Sequence, residues 1–312
     1  MNYNDQYVKS VAATTAIFTL PAISGGFVWF YFLTPLPLIF LPIWLGFEKG
    51  VTVIAHSILI SGMVALLLGS LSVLFFSLCL LPVGFVLARS INRKESLLQS
   101  ALQGAVWLAA IWLFSGVLLS AVGHTNIYFD VLKSIDTSVE AAYTAYNQSP
   151  EISADIKYEL QTVFTRIREL IPKIFPGILI VSIFSTIFIN MTMATVLLKK
   201  NNCPSWQRFS LFRLPDHLVW TIILGGMLLI TPTDGFKALG MNLLIVFGSL
   251  YFMQGLSVIT TFFIKWSVPK SVQALILIFL IIQAYGFLLL AVLGIAETWA
   301  DFRKTAEDKP DQ

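Results

Sequence analysis

The sequence offers few side chains that could bind a ligand within its long apolar stretches. Asn190 and Gln254 lie inside two of these stretches, and Glu48 and His56 lie near the start of a third. Polar side chains at such places commonly mark binding sites or ion pathways in membrane proteins. We therefore predict Glu48, His56, Asn190 and Gln254 as substrate-binding residues.

The spacing of Glu48 and His56 limits how they could act together. Eight residues place them on similar faces of a helix, about 12 Å apart along its axis, so they cannot touch directly. Glu48 would form a gate or binding group and His56 would line a cavity. The alternative is that Glu48 and Lys49 are interfacial charges and that His56 is a hydrogen-bonded helix residue. Asn190 and Gln254 have an equivalent alternative as hydrogen-bonding groups between helices.

Motifs typical of enzymes and metal sites are absent from the sequence. It contains no His-Glu-x-x-His, no Gly-x-Ser-x-Gly, no phosphate-binding glycine loop and no Cys/His cluster with metal-ligand spacing. We therefore expect no enzymatic activity, no cofactor and no metal. A lipid-modifying enzyme is a further alternative, and its convergent groups would be Glu48, Lys49, Arg213 and Asp216.

The composition indicates a membrane protein. Of the 312 residues, 57% are hydrophobic and 12% are charged, against roughly 25% charged in soluble domains. The net charge of +3 comes without a Lys/Arg tract, so we expect the lipid bilayer, and not nucleic acid, as a partner.

Stretches without Asp, Glu, Lys or Arg predict the membrane spans. Two are long enough for two passes each, because one pass needs about 20 residues. Gly69-Ser70 divides the second long stretch, whereas Pro35, Pro37 and Pro42 break the end of the first. The segment 34–47 therefore either crosses or re-enters the membrane, giving eight or nine transmembrane helices in an all-α bundle. The stretches are 10–47, 50–88, 96–129, 174–198, 217–233, 238–264 and 271–296.

Basic residues beside the spans predict the orientation, since cytoplasmic loops are enriched in Lys and Arg. Three clusters fit one orientation: residues 89–94, 199–213 and 265–270. The opposite side would then carry residues 123–172, the turn at Asp234 and the C-terminal tail.

The composition of residues 123–173 predicts a polar segment outside the bilayer. They hold 12 charged side chains, and apolar residues recur every three or four positions on both sides of a break at residues 147–150. We expect an extracytoplasmic helical hairpin, whose second helix ends at Pro172 or Pro176. The predicted organisation is N-terminal membrane helices in 1–122, the hairpin in 123–173, C-terminal membrane helices in 174–296 and a polar tail in 297–312.

The last third of the chain carries a family resemblance. The stretch from Gln254 to Ile259, the basic turn from Lys265 to Lys270, and the segment from Gly294 to Lys304 resemble the end of bacterial YybS-like membrane proteins, a family of unknown function. That family is distantly similar to the substrate-binding components of energy-coupling factor transporters. The resemblance implies a bacterial inner membrane, a small molecule held among the helices, and docking through small residues such as Ala12 and Ala16.

Two functional hypotheses follow. In the first, the protein binds or transports a small or amphipathic molecule in an intramembrane cavity, with the hairpin over its outer mouth. In the second, it is a scaffold or assembly factor that docks a membrane or extracytoplasmic protein through residues 123–173.

Overall fold

The computed structural model describes residues 3–23, 25–123, 126–149 and 152–303. All regular secondary structure in these residues is helical, which confirms the all-α class. Short 3₁₀ helices occupy Gly25–Leu33, Phe209–Leu211 and Asp216–Leu218. The α-helices are α1 (Tyr3–Ile23), α2 (Pro35–Trp44), α3 (Phe47–Leu67), α4 (Leu71–Cys79), α5 (Leu81–Asn92), α6 (Leu97–Gly123), α7 (Ile127–Gln148), α8 (Ala154–Lys200), α9 (Val219–Ile230), α10 (Asp234–Lys265), α11 (Lys270–Ile282) and α12 (Ala284–Ala300).

Four of the described helices are long and apolar enough to cross a membrane: α3, α6, α8 and α10. A fifth span results if α11 and α12, bent by 106°, are counted together. The eight or nine spans expected from the sequence are not confirmed. Several charge-free stretches instead fold into shorter apolar helices, such as α2, α5 and α9.

Glycine and proline explain how the first two stretches are divided. The division predicted at Gly69-Ser70 is confirmed, because α3 ends at Leu67 and Gly69 adopts a φ of +64°, which favours glycine. A second break falls before Pro82, where α5 begins, since proline fits the first turn of a helix but not its interior. In the first stretch, α1 covers Tyr3–Ile23 and a 3₁₀ helix follows over Gly25–Leu33.

The helices form two compact units. The first comprises Met1–Leu113 and Ser182–Phe212, and the second comprises Phe114–Val181 and Arg213–Gln312. The core of the first unit joins α2, α5, α6 and the end of α8. Its fully buried members include Ile39, Val83, Leu87, Leu108, Ile187, Ala194 and Leu198.

A buried tryptophan fixes the chain that follows α8 in the first unit. The indole N–H of Trp206 lies 2.9 Å from Ser100 Oγ and 3.2 Å from Ser90 Oγ. The ring itself belongs to the core. Tryptophan beside basic loops is common at the membrane interface, whereas Trp206 is almost fully buried and its polar atom is satisfied.

In the second unit, α10 and α12 touch backbone to backbone. A Cβ added at Gly255 would lie 1.9 Å from the carbonyl oxygen of Leu290, and one at Gly294 would lie 2.0 Å from that of Tyr251. Only glycine permits this approach, because the obstructing atoms belong to the backbone and cannot rotate away. The two glycines therefore set the spacing of α10 and α12.

α8 runs for 47 residues through Pro172 and Pro176, so the predicted end of the second hairpin helix is wrong. Asn242 of α10 supports the helix at this point. Its Oδ1 accepts from Gly177 N–H at 2.5 Å, and its Nδ2 donates to the Lys173 carbonyl at 2.7 Å. Those two backbone groups would pair with each other in a regular helix. The Asn242 amide bridges them where proline disturbs the helix.

The N-terminal part of α8 is linked to α7 by an exposed ion-pair network. The Arg168 guanidinium donates to both carboxylate oxygens of Asp136, at 2.5 and 2.9 Å, and to Glu140 at 2.6 Å. This hydrogen bonding holds the pKa of Asp136 below its usual value. Phe164 of α8 packs edge to face against Tyr143 of α7, with ring centroids 5.6 Å apart.

The C-terminal end of α12 lies beside the loop that was predicted to be cytoplasmic. Arg213, the last basic residue of that loop, donates to Asp301 at 3.3 Å. The expectation that the tail lies on the opposite side is therefore wrong. It assumed a straight crossing by residues 271–296, whereas these residues form helices α11 and α12, which are bent by 106°. α12 also continues through Glu297 to Ala300, and residues 304–312 of the predicted tail lie outside the described residues.

Candidate functional site

Asn190 is fully buried in the first unit. Its side-chain N–H₂ donates to the carbonyl of Thr186, 2.7 Å away, and to that of Phe32 in the 3₁₀ helix before α2. Within the described part of the chain, its Oδ1 has no hydrogen-bond partner. Asn190 thus joins α8 to the segment leading into α2, which matches the alternative that it forms hydrogen bonds between helices.

Gln254 is fully buried in the second unit. Its Oε1 accepts from the backbone N–H of Leu214 at 2.8 Å, and its Nε2 donates to the Gly294 carbonyl at 2.9 Å. The side chain therefore ties α10 to α12 and to the chain before α9. Both ends of the amide are used, so this geometry also matches the interhelical alternative.

Glu48 and His56 are exposed on α3. Glu48 occupies the first turn, where the positive end of the helix dipole stabilises a carboxylate. His56 Nδ1 is hydrogen-bonded to the Tyr7 hydroxyl at 2.7 Å. Gln254 belongs to the second unit, whereas Glu48, His56 and Asn190 belong to the first.

A groove in the first unit has the dimensions of a ligand site. We call it the α1–α2 groove. It has a volume of about 460 Å³, within the range of roughly 300–1,000 Å³ common for ligand sites. Three elements line it: α1, α2 and the C-terminal end of α8. The lining residues are Gln6, Lys9, Ser10, Ala13, Thr14, Ile17, Leu36, Pro37, Phe40, Leu41, Trp44, Leu197 and Asn201.

The α1–α2 groove has an apolar wall and polar residues towards the start of α1. Phe40 and Trp44 stack with ring centroids 5.0 Å apart on the wall formed by α2. Gln6, Lys9 and Ser10 come from the first turns of α1, and Asn201 follows α8. Such a lining can hold an apolar chain together with a polar group.

Lys9 is the one charged residue in this lining. Its ammonium pairs with Asp5 at 2.8 Å, with side-chain exposures of 62% for Lys9 and 48% for Asp5. An exposed pair four residues apart on a helix contributes only about 0.3–0.5 kcal/mol. An ammonium also has three donors. Lys9 can therefore donate to a ligand at little energetic cost.

None of the four residues predicted from the sequence lines the α1–α2 groove. The first charge-free stretch begins at Ser10, so the predicted membrane spans exclude Gln6 and Lys9. A signal was present, however. Gln6, Ser10, Ala13 and Ile17 recur at spacings of three and four, as one face of a helix requires.

The described residues contain no group of three or more His, Cys, Asp or Glu side chains that could hold a metal ion.

Residues 12–298 match the family described as "Predicted membrane protein (DUF2232)". The chain belongs to this family. The match confirms the expectation of a membrane protein, and it gives no support to a resemblance to YybS-like proteins or to energy-coupling factor components. No curated protein and no solved structure matches the chain.

Proposed function

We propose that this DUF2232 protein binds an amphipathic molecule in the α1–α2 groove and catalyses no reaction. The observation that carries the proposal is the combination, in one groove, of an apolar aromatic wall with a polar end that contains Lys9. The proposal includes a multi-pass chain in a bacterial inner membrane. In it, short apolar helices complete the eight or nine passes and residues 123–173 lie outside the cytoplasm.

The lining favours an anionic or hydrogen-bond-accepting polar group on the ligand. The Lys9 ammonium is a donor only, and the described residues that line the groove include no Asp or Glu. The apolar part of the ligand would lie against Phe40, Trp44 and Ile17, where burial of each CH₂ contributes about 0.8 kcal/mol. Binding of this kind is the step that a transport function would require.

This proposal gives the predicted residues other roles. Asn190 and Gln254 hold helices together through the hydrogen bonds described above. Glu48 and His56 remain exposed groups of α3. The polar contacts with the ligand come instead from Gln6, Lys9 and Asn201.

A tryptophan introduced at Ala13 tests the proposal, because this small residue lines the groove. Val8→Trp is the matched control, since Val8 is a 63% exposed residue of the same helix that does not line the groove. Native mass spectrometry of protein purified in mild detergent would count bound amphiphiles. We expect wild type and Val8→Trp to retain one tightly bound molecule and Ala13→Trp to lose it. Equal retention in all three proteins would refute the proposal.

A second candidate function is a scaffold that docks a partner protein on α7. An open groove of about 440 Å³ there is lined by residues of α7 together with Phe164 of α8. The α7 residues are Val131, Ser134, Ile135, Ser138, Val139 and Ala142. Val139→Asp would abolish capture of such a partner, whereas Thr137→Asp, which adds the same charge outside this lining, would not. If both variants capture the same proteins as wild type, the scaffold function is excluded.

A further inference from the structure

A fully buried carboxylate lies near the end of α12 in the second unit. Glu297 has no exposed surface, and both of its oxygens accept hydrogen bonds. Oε1 accepts from Arg303 Nε at 2.8 Å, and Oε2 accepts from the backbone N–H of Phe302 at 2.9 Å. The C-terminal segment therefore supplies both of these bonds.

The backbone after α12 turns so that Arg303 can reach back to Glu297. Ala300 ends the helix, and Asp301 adopts a left-handed conformation with a φ of +41°. Such a residue commonly follows the end of a helix and reverses the chain. Asp301 is also paired with Arg213. The segment 301–303, which we call the C-terminal strap, is thus held at both Asp301 and Arg303.

The groups around the Arg303 guanidinium form a site with acceptors from two helices. Glu297 Oε1 of α12 faces Nε, and Ser257 Oγ of α10 lies 3.4 Å from Nη1. A guanidinium is planar and presents its donors in a fixed fork; here Nε faces the carboxylate and Nη1 faces the hydroxyl. The Arg303 side chain retains 15% exposure, whereas that of Glu297 has none.

Because the Glu297 carboxylate is buried, it needs a cation as a partner. An ionised carboxylate removed from water is costly unless it is paired, so Glu297 requires a positive partner when the strap is displaced. The main chain around it is fixed, because Gly255 and Gly294 hold α10 and α12 in backbone contact. The site would therefore keep its shape while its occupant changes.

We propose that Glu297 and Ser257 form a binding site for guanidinium-type cations, and that the C-terminal strap occupies this site with its own Arg303. The strap acts as a tethered ligand that competes with a free molecule carrying a guanidinium group. Every residue of this site belongs to the second unit, whereas the α1–α2 groove is lined by residues of the first.

Chemical rescue of Arg303→Ala tests this site. We expect the variant to unfold several degrees below wild type in detergent, because Glu297 loses its partner. Guanidinium chloride at low millimolar concentration should restore much of that loss, and equal sodium chloride should not. The double variant Glu297→Gln/Arg303→Ala should be more stable than Arg303→Ala and should not respond to guanidinium.

Arg168→Ala is the matched control, since Arg168 also pairs with carboxylates, but with partly exposed side chains. Guanidinium should leave its unfolding temperature unchanged. If Arg303→Ala cannot be purified, recovery of the double variant supports the site and failure of both variants contradicts it. An Arg303→Ala protein as stable as wild type, or one that responds to guanidinium no more than Arg168→Ala does, would overturn the proposal.

Discussion

The region around the α10–α12 contact and the α1–α2 groove each contain an ion pair, but the two pairs differ in burial. Each contains an ion pair with a distance of 2.8 Å, Glu297–Arg303 in the first case and Asp5–Lys9 in the second. The Glu297 carboxylate is fully buried and the Arg303 side chain is 15% exposed, whereas Lys9 is 62% exposed. Burial, and not distance, therefore separates a pair that fixes the C-terminal strap from one whose cation is accessible to a ligand.

The two regions also differ in how closely their helices approach. At Gly255 the chain leaves no room for a methyl group, whereas the α1–α2 groove has a volume of about 460 Å³. In a closed contact, a larger side chain clashes with the neighbouring helix and lowers the stability of the fold. In an open groove, a larger side chain fits without a clash, so a substitution changes ligand binding more than stability. This difference predicts large changes in stability at the first region and changes in binding at the second.

The largest expected effect is that of Gly255→Ala. The new Cβ would lie 1.9 Å from a backbone oxygen, so α10 and α12 must separate, at a cost of about 3 kcal/mol. Gly248→Ala is the control on the same helix, because a Cβ there has nothing within 4 Å and alanine favours helix by up to about 1 kcal/mol. Thermal unfolding in detergent would measure both. A Gly255→Ala protein as stable as Gly248→Ala would remove the distinction between the two regions.

The smallest expected effect on stability is that of Lys9→Ala. Loss of an exposed pair should change the free energy of unfolding by less than about 0.5 kcal/mol. Affinity for an anionic amphiphile should fall roughly tenfold, as expected for loss of a charge-assisted hydrogen bond worth about 1.4 kcal/mol. Titration of the purified protein with an anionic and a neutral amphiphile of equal chain length would measure this. Lys49→Ala, which removes an exposed charge outside the groove, should bind like wild type. A Lys9→Ala protein that also binds the anionic amphiphile like wild type would contradict the role of Lys9.

The membrane class and several helix breaks could be predicted from local sequence. The low charge content requires an apolar environment, and Gly69 and Pro82 divide the second stretch for backbone reasons that any fold must obey. The number of long spans could not be predicted in this way. Whether an apolar stretch stays straight depends on its neighbours, as Asn242 shows by bridging α8 at the proline that was expected to end it.

The burial of Glu297 could not be read from charge alone. It is the first charged residue after an apolar stretch, which predicts an interfacial position, and Arg303 in the following segment is what satisfies it. Helical spacing gave a partial signal. Leu290, Gly294 and Glu297 recur at intervals of four and three, and all three face α10 or are fully buried. The α1–α2 groove depends on how α2 packs after Pro35, which no spacing in the sequence specifies.

An experimental density map of the protein purified from its native membrane tests amphiphile binding most directly. We expect an elongated density in the α1–α2 groove, with its polar end within hydrogen-bond distance of Lys9 Nζ and its apolar part along Phe40 and Trp44. A well-ordered map in which the groove is filled by side chains of the protein itself would contradict the account.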